Sequence, residues 1–92
     1  MKLRYLTEDL INAFDRKLYS EDKSAGTREN YVRYVRAFAS WLDGRALEQG
    51  SAAAWKAVLL ERGYKPGTIN SMLVAVNRFF DFAECPEFRV KP

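Results

Sequence analysis

The chain has 92 residues, 48% of them hydrophobic and 29% charged, with 15 Lys+Arg against 12 Asp+Glu. That length supports one domain with one modest core, and the composition is too apolar for a disordered segment. With no histidine and a single cysteine, Cys85, the commonest general base is missing, and an internal disulfide or thiolate zinc site is excluded.

No metal or other cofactor is therefore expected. A net charge of +3 is too small to name a partner by itself, so the distribution of charge has to decide. No apolar run approaches the roughly 18–20 residues of a membrane span. Met1-Lys2-Leu3-Arg4 is not followed by a signal-peptide core, because Thr7-Glu8-Asp9 interrupts it. A free cysteine without an export signal points to the cytoplasm and away from a membrane partner.

Four helical stretches follow one another, separated by short breaks. The first is predicted over 7–19. Thr7 caps it, Glu8 and Asp9 suit the positive end of the helix dipole, and Leu6 is placed to staple onto Ile11. Leu10, Ile11, Phe14 and Leu18 share one face. The second is predicted over 25–42 behind Ser24 as cap. Tyr31, Tyr34, Val35, Phe38 and Leu42 form its apolar stripe, with Glu29, Arg33, Arg36 and Ser40 opposite. Asp43-Gly44 closes it, with Gly44 suited to the left-handed conformation.

The third helix is predicted over 52–62 behind Ser51, with Ala52, Trp55, Val58 and Leu59 inward. The fourth begins at Pro66, a favoured first helical residue. Ile69, Met72, Leu73, Val76, Phe79, Phe80 and Ala83 keep helical spacing along it. Gly67, Asn70, Ser71, Val74, Asn77, Arg78 and Asp81 occupy the opposite, outward face. Pro86 stops the helix, and 86–92 reads as a linker. Short connections and the lack of strand signals predict an all-α fold, a compact four-helix orthogonal bundle.

The basic excess is local. Residues 23–45 carry Lys23, Arg28, Arg33, Arg36 and Arg45 against Glu29 and Asp43; residues 63–78 carry Lys65 and Arg78 with no acid; the other stretches are neutral or negative. The second and fourth helices also begin with small polar groups, Ser24 and Thr27 in one, Thr68, Asn70 and Ser71 in the other. Free N–H groups at a helix start attract phosphate, and Asn and Arg on an exposed face suit base edges in a major groove. The pattern reads as two neighbouring helices presented to double-stranded DNA. A plainer role competes for each residue: Arg33 and Arg36 also suit solvated pairing with Glu29, and Thr27 and Thr68 also support helix starts.

With these residues in place the chain resembles a known family. Ser24, Thr27, Tyr31, Phe38, Trp41 and Leu42 fit the run S-x-x-T-x-x-x-Y-x-x-x-L-x-x-F-x-x-W/F-L of tyrosine recombinases and phage integrases. Gly63, Thr68, Ile69, Asn70, Leu73, Ala75, Phe79 and Phe80 fit their run G-x-S-x-x-T-I-N-x-x-L-x-A-L-R-x-F-F. Both runs belong to the N-terminal core-binding, SAM-like domain, and the likeness spans nearly the whole chain. It implies a four-helix domain that clamps one face of duplex DNA at a recombination core site, while a separate catalytic domain grips the other. It also implies other integrase protomers as partners on DNA. Ser24, Thr27 and Arg28 carry over as contacts at the start of the second helix, and Lys65, Thr68, Asn70 and Arg78 on the second run.

Two departures stand out. Lys65 replaces the usual serine, losing a side-chain cap and placing a cation where a phosphate would sit. The interdomain Asn-Pro is absent, with Lys91-Pro92 in its place. The family's catalysis needs a nucleophilic tyrosine, arginines, a lysine and histidines in the catalytic domain. The resemblance thus implies a non-enzymatic fragment, with residues 1–85 as the DNA-binding domain and 86–92 as the start of a linker. Tyr31 and Tyr34 lie on an apolar stripe, where a core role is expected. The same holds for Trp41 and Trp55, which are better placed for packing than for stacking on bases. Cys85 has no cationic neighbours in sequence and is expected to be unreactive. Phe82 falls on the polar side of the fourth helix, either under the tail or facing a partner.

The expected DNA-binding set is therefore Lys23, Ser24, Thr27, Arg28, Arg33, Arg36, Lys65, Thr68, Asn70, Ser71, Asn77 and Arg78. The alternative is a helical protein–protein adaptor using Val74, Phe82 and the arginines as its surface.

Overall fold

Helix starts are set by local chemistry. In the computed structural model, which describes residues 5–92, Thr7 is the N-cap of α1 (Glu8–Ser20), its Oγ1 accepting from the Leu10 N–H at 3.3 Å. Ser24 caps α2 (Ala25–Leu42), its Oγ accepting from the Thr27 N–H at 3.2 Å and donating to Thr27 Oγ1 at 3.0 Å. Pro66 is the first residue of α4 (Pro66–Phe82). The opening Met1-Lys2-Leu3-Arg4, read above for an export signal, lies outside the described residues.

The start of α3 (Ser51–Glu61) differs from expectation. Gly50 occupies the cap position, because the Ser51 hydroxyl is turned back to accept from the Glu48 N–H at 2.9 Å. At the end of α2, Asp43 itself takes the left-handed conformation with φ 49°, followed by Gly44 at φ 80°. Arg45 completes that end. Its Nε and Nη2 donate to the carbonyls of Leu42 and Trp41 at 2.8 and 2.7 Å, and its guanidinium lies 4.5 Å from the Trp41 ring centre. A cation on the last carbonyls of a helix also suits the negative end of its dipole.

The helical spacing of α4 makes it the central element. It packs against α2, α3 and a short 3-10 turn at Pro86–Phe88, while α1 packs on α2. Phe14 meets Phe79 edge-on at 5.5 Å, and Phe38 meets Phe80 at 6.0 Å. Ile11, Leu18, Val35, Trp55, Leu59, Leu73 and Val76 complete the core. Each such side chain, fully buried, contributes about 1.5–3 kcal/mol. The radius of gyration is 12.4 Å, against about 12 Å for a compact chain of this length. Among the described residues there is no strand, and no helix is long and apolar enough to cross a membrane. The all-α, four-helix expectation stands.

The segment after α4 folds back. Phe88 packs on Phe80 at 5.8 Å, Arg89 pairs with Asp81, and Lys56 Nζ donates to the Lys91 carbonyl at 3.1 Å. Asn77 holds the backbone of Val90 at both polar atoms: its Nδ2 donates to the Val90 carbonyl at 2.7 Å, and the Val90 N–H donates to its Oδ1 at 2.9 Å. Phe82 does not go under this tail. It is half-buried against Phe14 and Phe79, on the α1 side. Cys85 is buried, and burial pushes its thiol up to about 11.

Candidate nucleic-acid interface

The N-terminal halves of α2 and α4 meet along one groove of about 340 Å³. Thr27, Asn30, Tyr31 and Tyr34 form the α2 wall; Asn70, Ser71 and Val74 form the other. Every lining side chain is neutral. Polar tips alternate with aromatic rings and one exposed valine. The Asn70 amide makes no side-chain hydrogen bond among the described residues, so its donor and acceptor both remain open to a ligand. Asn30 Oδ1 accepts from Arg33 Nη2 at 2.8 Å, which leaves the Asn30 amide hydrogens available. The Arg33 guanidinium also lies 5.2 Å from the Tyr34 ring centre, so it is held at the edge of the groove.

Both helix starts are open. The N–H groups of Ala25 and Gly26 in α2, and of Gly67 and Thr68 in α4, have no partner within the protein among the described residues. The two helices also share a local sequence: a glycine at the second position and a threonine at the third. A Cβ added at Gly26 or Gly67 would meet nothing within 4 Å. Neither glycine is therefore needed for internal packing, although each costs helix stability. Lys65 precedes α4 and makes no side-chain cap. Lys23, Arg33 and Lys65 have no carboxylate partner among the described residues. No cluster of three metal-ligating side chains occurs among those residues.

The family described as phage integrase, N-terminal SAM-like domain, matches residues 11–85. The chain belongs to this family. No curated protein and no solved structure was found to match it. The matched region is the N-terminal SAM-like part of integrases, distinct from their catalytic part.

Within this integrase domain the twelve expected contact residues fall into separate places. Thr27, Asn70 and Ser71 line the α2–α4 groove. Lys23, Ser24, Lys65 and Thr68 stand at the two helix starts, with Lys23 and Thr68 half-buried. The Ser24 hydroxyl is spent on capping, and the Ser71 hydroxyl donates to the Gly67 carbonyl at 3.1 Å.

Arg28 and Arg36 turn the other way, toward α1. Arg28 Nε and Nη2 fork onto the two carboxylate oxygens of Asp15 at 3.1 and 3.4 Å. Arg36 Nε donates to Glu8 Oε1 at 3.1 Å, and that bond raises the Arg36 pKa further above its ordinary value. Pairing with Glu29, the plainer role weighed for Arg33 and Arg36, does not occur. Arg78 points to the α1–α4 side and lies 3.8 Å from Glu21. Counting along the family's second run also places its arginine at position 77, which is asparagine here, so Arg78 stands one residue beyond the match.

Asn77 is a correction in the other direction. Its spacing placed it on the outward face of α4, yet it is only 4% exposed, because the tail covers that part of the face. Both ends of its amide are committed to Val90. The groove also brings in Asn30, Tyr31 and Tyr34, which are outside the expected set. The two tyrosines do pack on the core, as the stripe predicts, but each remains half-exposed to the groove. Their signal was the residue type: a buried stripe needs no phenol hydroxyl, whereas an edge position uses both ends of a tyrosine.

Proposed function

We propose that this domain binds double-stranded DNA and clamps one face of a recombination core site beside an integrase catalytic domain. The observation that carries the reading is the meeting of two open helix starts, each with Gly-Thr at its second and third positions, at one neutral, amide-bearing groove flanked by unpaired cations. Phosphates would sit at the helix starts, against Lys23, Lys65 and the free N–H groups of Gly26 and Gly67. Such contacts fix register without reading sequence. Base edges would meet Asn70, Asn30 and the tyrosine hydroxyls, with Val74 suited to a thymine methyl. Bond cleavage belongs to the catalytic domain in this reading, and other integrase protomers are the protein partners on DNA.

The adaptor alternative loses part of its surface, since Phe82 is half-buried against Phe14 and Phe79. The test is a salt titration of binding to a short duplex. With about three to five phosphates neutralised, log K should fall with log[salt] at a slope of about −3 to −4.5. NMR shifts should concentrate on the first turns of α2 and α4 and on Asn70 and Tyr34. Binding without salt dependence, or shifts confined to α3, would reject the reading.

A further inference from the structure

The groove between α1 and α2, about 380 Å³, is lined by Asp15, Arg28, Glu29, Arg33 and Arg36. Its basic and acidic groups nearly balance, so it is no anion site as it stands. Yet two of its arginines are held by carboxylates from a different helix, at 13 and 28 residues' separation. The Arg36–Glu8 pair is open to water, its side chains 51% and 58% exposed, and a pair of this kind adds little to folding. The Arg28–Asp15 pair is part-buried, with side chains 26% and 38% exposed. Arg28 forks two N–H groups onto both oxygens of Asp15, and Arg36 sends its Nε and Nη2 to the single oxygen Oε1 of Glu8; guanidinium edges used in this way also recognise phosphate. Glu8 also sits in the first turn of α1, where the helix dipole favours a carboxylate with or without a partner.

Resting on the DNA-binding reading above, the geometry points to α1 as an intramolecular counter-ion. Glu8 and Asp15 hold Arg36 and Arg28 away from the DNA backbone, and a phosphate must displace a carboxylate to recruit each arginine. The arrangement lowers the affinity of the domain for any DNA and lets a second strand contact be gained only where the duplex is seated closely enough to compete. Arg33, on the crest of α2 without a carboxylate, is the arginine that engages first.

The test is a binding cycle on a short duplex at fixed salt, using the full chain. Glu8→Gln and Asp15→Asn should each raise affinity by about two- to fivefold, the range a surface ion pair spans. Asp9→Asn removes the same charge from the same turn as Glu8, but Asp9 is in no ion pair among the described residues; its effect measures the general field alone and should be smaller. In an Arg36→Gln background the gain from Glu8→Gln should fall to the Asp9→Asn level, because coupled residues are non-additive. Thermal melting should change little in Asp9→Asn, Glu8→Gln and Arg36→Gln and fall modestly in Asp15→Asn, whose pair with Arg28 is part-buried. If Glu8→Gln and Asp15→Asn do no more than Asp9→Asn while the wild-type chain binds with the salt slope given above, the counter-ion role is overturned and the DNA reading stands. If the wild-type chain shows no salt-dependent binding, both fall.

Discussion

Replacing Asn77 separates a structural role from a DNA contact. Its amide makes two short hydrogen bonds to the backbone N–H and carbonyl of one residue, Val90, and it is the buried anchor of a tail otherwise held by Phe88 on Phe80, the Arg89–Asp81 pair and Lys56. In Asn77→Ala the Val90 N–H and carbonyl lose both partners. Each such bond is worth about 0.5–1.5 kcal/mol net, and Val90 is near enough to solvent for water to replace part of the loss, so about 2 kcal/mol is expected in total. For a domain of this size that lowers Tm by about 8–16 °C if the tail unfolds together with the core. Asn77→Asp is the sharper variant. It keeps the acceptor for the Val90 N–H but sets an anionic oxygen against the Val90 carbonyl, so its loss should exceed that of alanine near neutral pH. Burial and the facing carbonyl raise this carboxyl above its ordinary range, so the loss should ease as pH falls from neutral and be smallest below about pH 4, where the protonated carboxyl donates again. Thermal melting, with amide hydrogen exchange read at Val90, measures both effects. The reasoning fails if Val90 keeps its protection in Asn77→Ala, or if DNA affinity collapses while Tm is unchanged; the latter result would return Asn77 to the DNA surface.

Gly26→Ala and Gly67→Ala should act oppositely on folding and binding. Each should stabilise the domain by up to about 1 kcal/mol, since the added Cβ meets nothing and the helix penalty of glycine is removed, while the methyl group obstructs a phosphate at the helix start and weakens DNA binding. Asn70→Ala should reduce affinity for duplex DNA without lowering Tm, because its amide has no partner within the protein among the described residues and alanine is the better helix former; a drop in Tm would give it a structural role instead. Ser24→Ala removes the cap of α2 and should cost about 1 kcal/mol in thermal or urea unfolding. The Cys85 thiol, raised from 9.0 to about 11 by burial, should resist alkylation in the folded domain at pH 8 and react on unfolding. Because its folded pKa is the higher one, its contribution to stability is complete below pH 9 and is lost as pH rises toward 11, so alkaline melting curves should show the decline.

The fold was legible where the controlling physics is local. Thr7, Ser24 and Pro66 mark their helix starts within one turn of sequence, and the inward face of α4 follows from spacing alone. Ser51 shows the limit of such reading, since a serine beside a helix start has two backbone donors within reach and took the one at Glu48. Asn77 shows a different limit. Periodicity states which way a side chain leaves its helix, but not what returns to cover it, and Val90 comes from thirteen residues further along. The ion pairs of Arg28 and Arg36 are illegible for the same reason. Their partners lie on another helix, while local spacing offered only Glu29.

A count of charge along the chain therefore overstates the cationic surface. Of the basic residues between positions 23 and 45, Arg45 holds the end of α2, and Arg28 and Arg36 are balanced by α1. What is left is Lys23, with Lys65, at the two helix starts and Arg33 at the edge of the groove, so these cations rim the groove rather than fill it. That division has a physical consequence for the proposed interface. Cations on the rim attract any polyanion and lose their advantage as salt rises. Neutral amides and hydroxyls in the groove give little attraction at a distance, but they cost free energy when a mismatched base edge leaves them unpaired. An interface built this way binds non-specific DNA weakly, and its discrimination rests on Asn70, Tyr31 and the amide hydrogens of Asn30, with Arg33 as the one cation among the described residues reaching the groove's edge, on Asn30 and Tyr34.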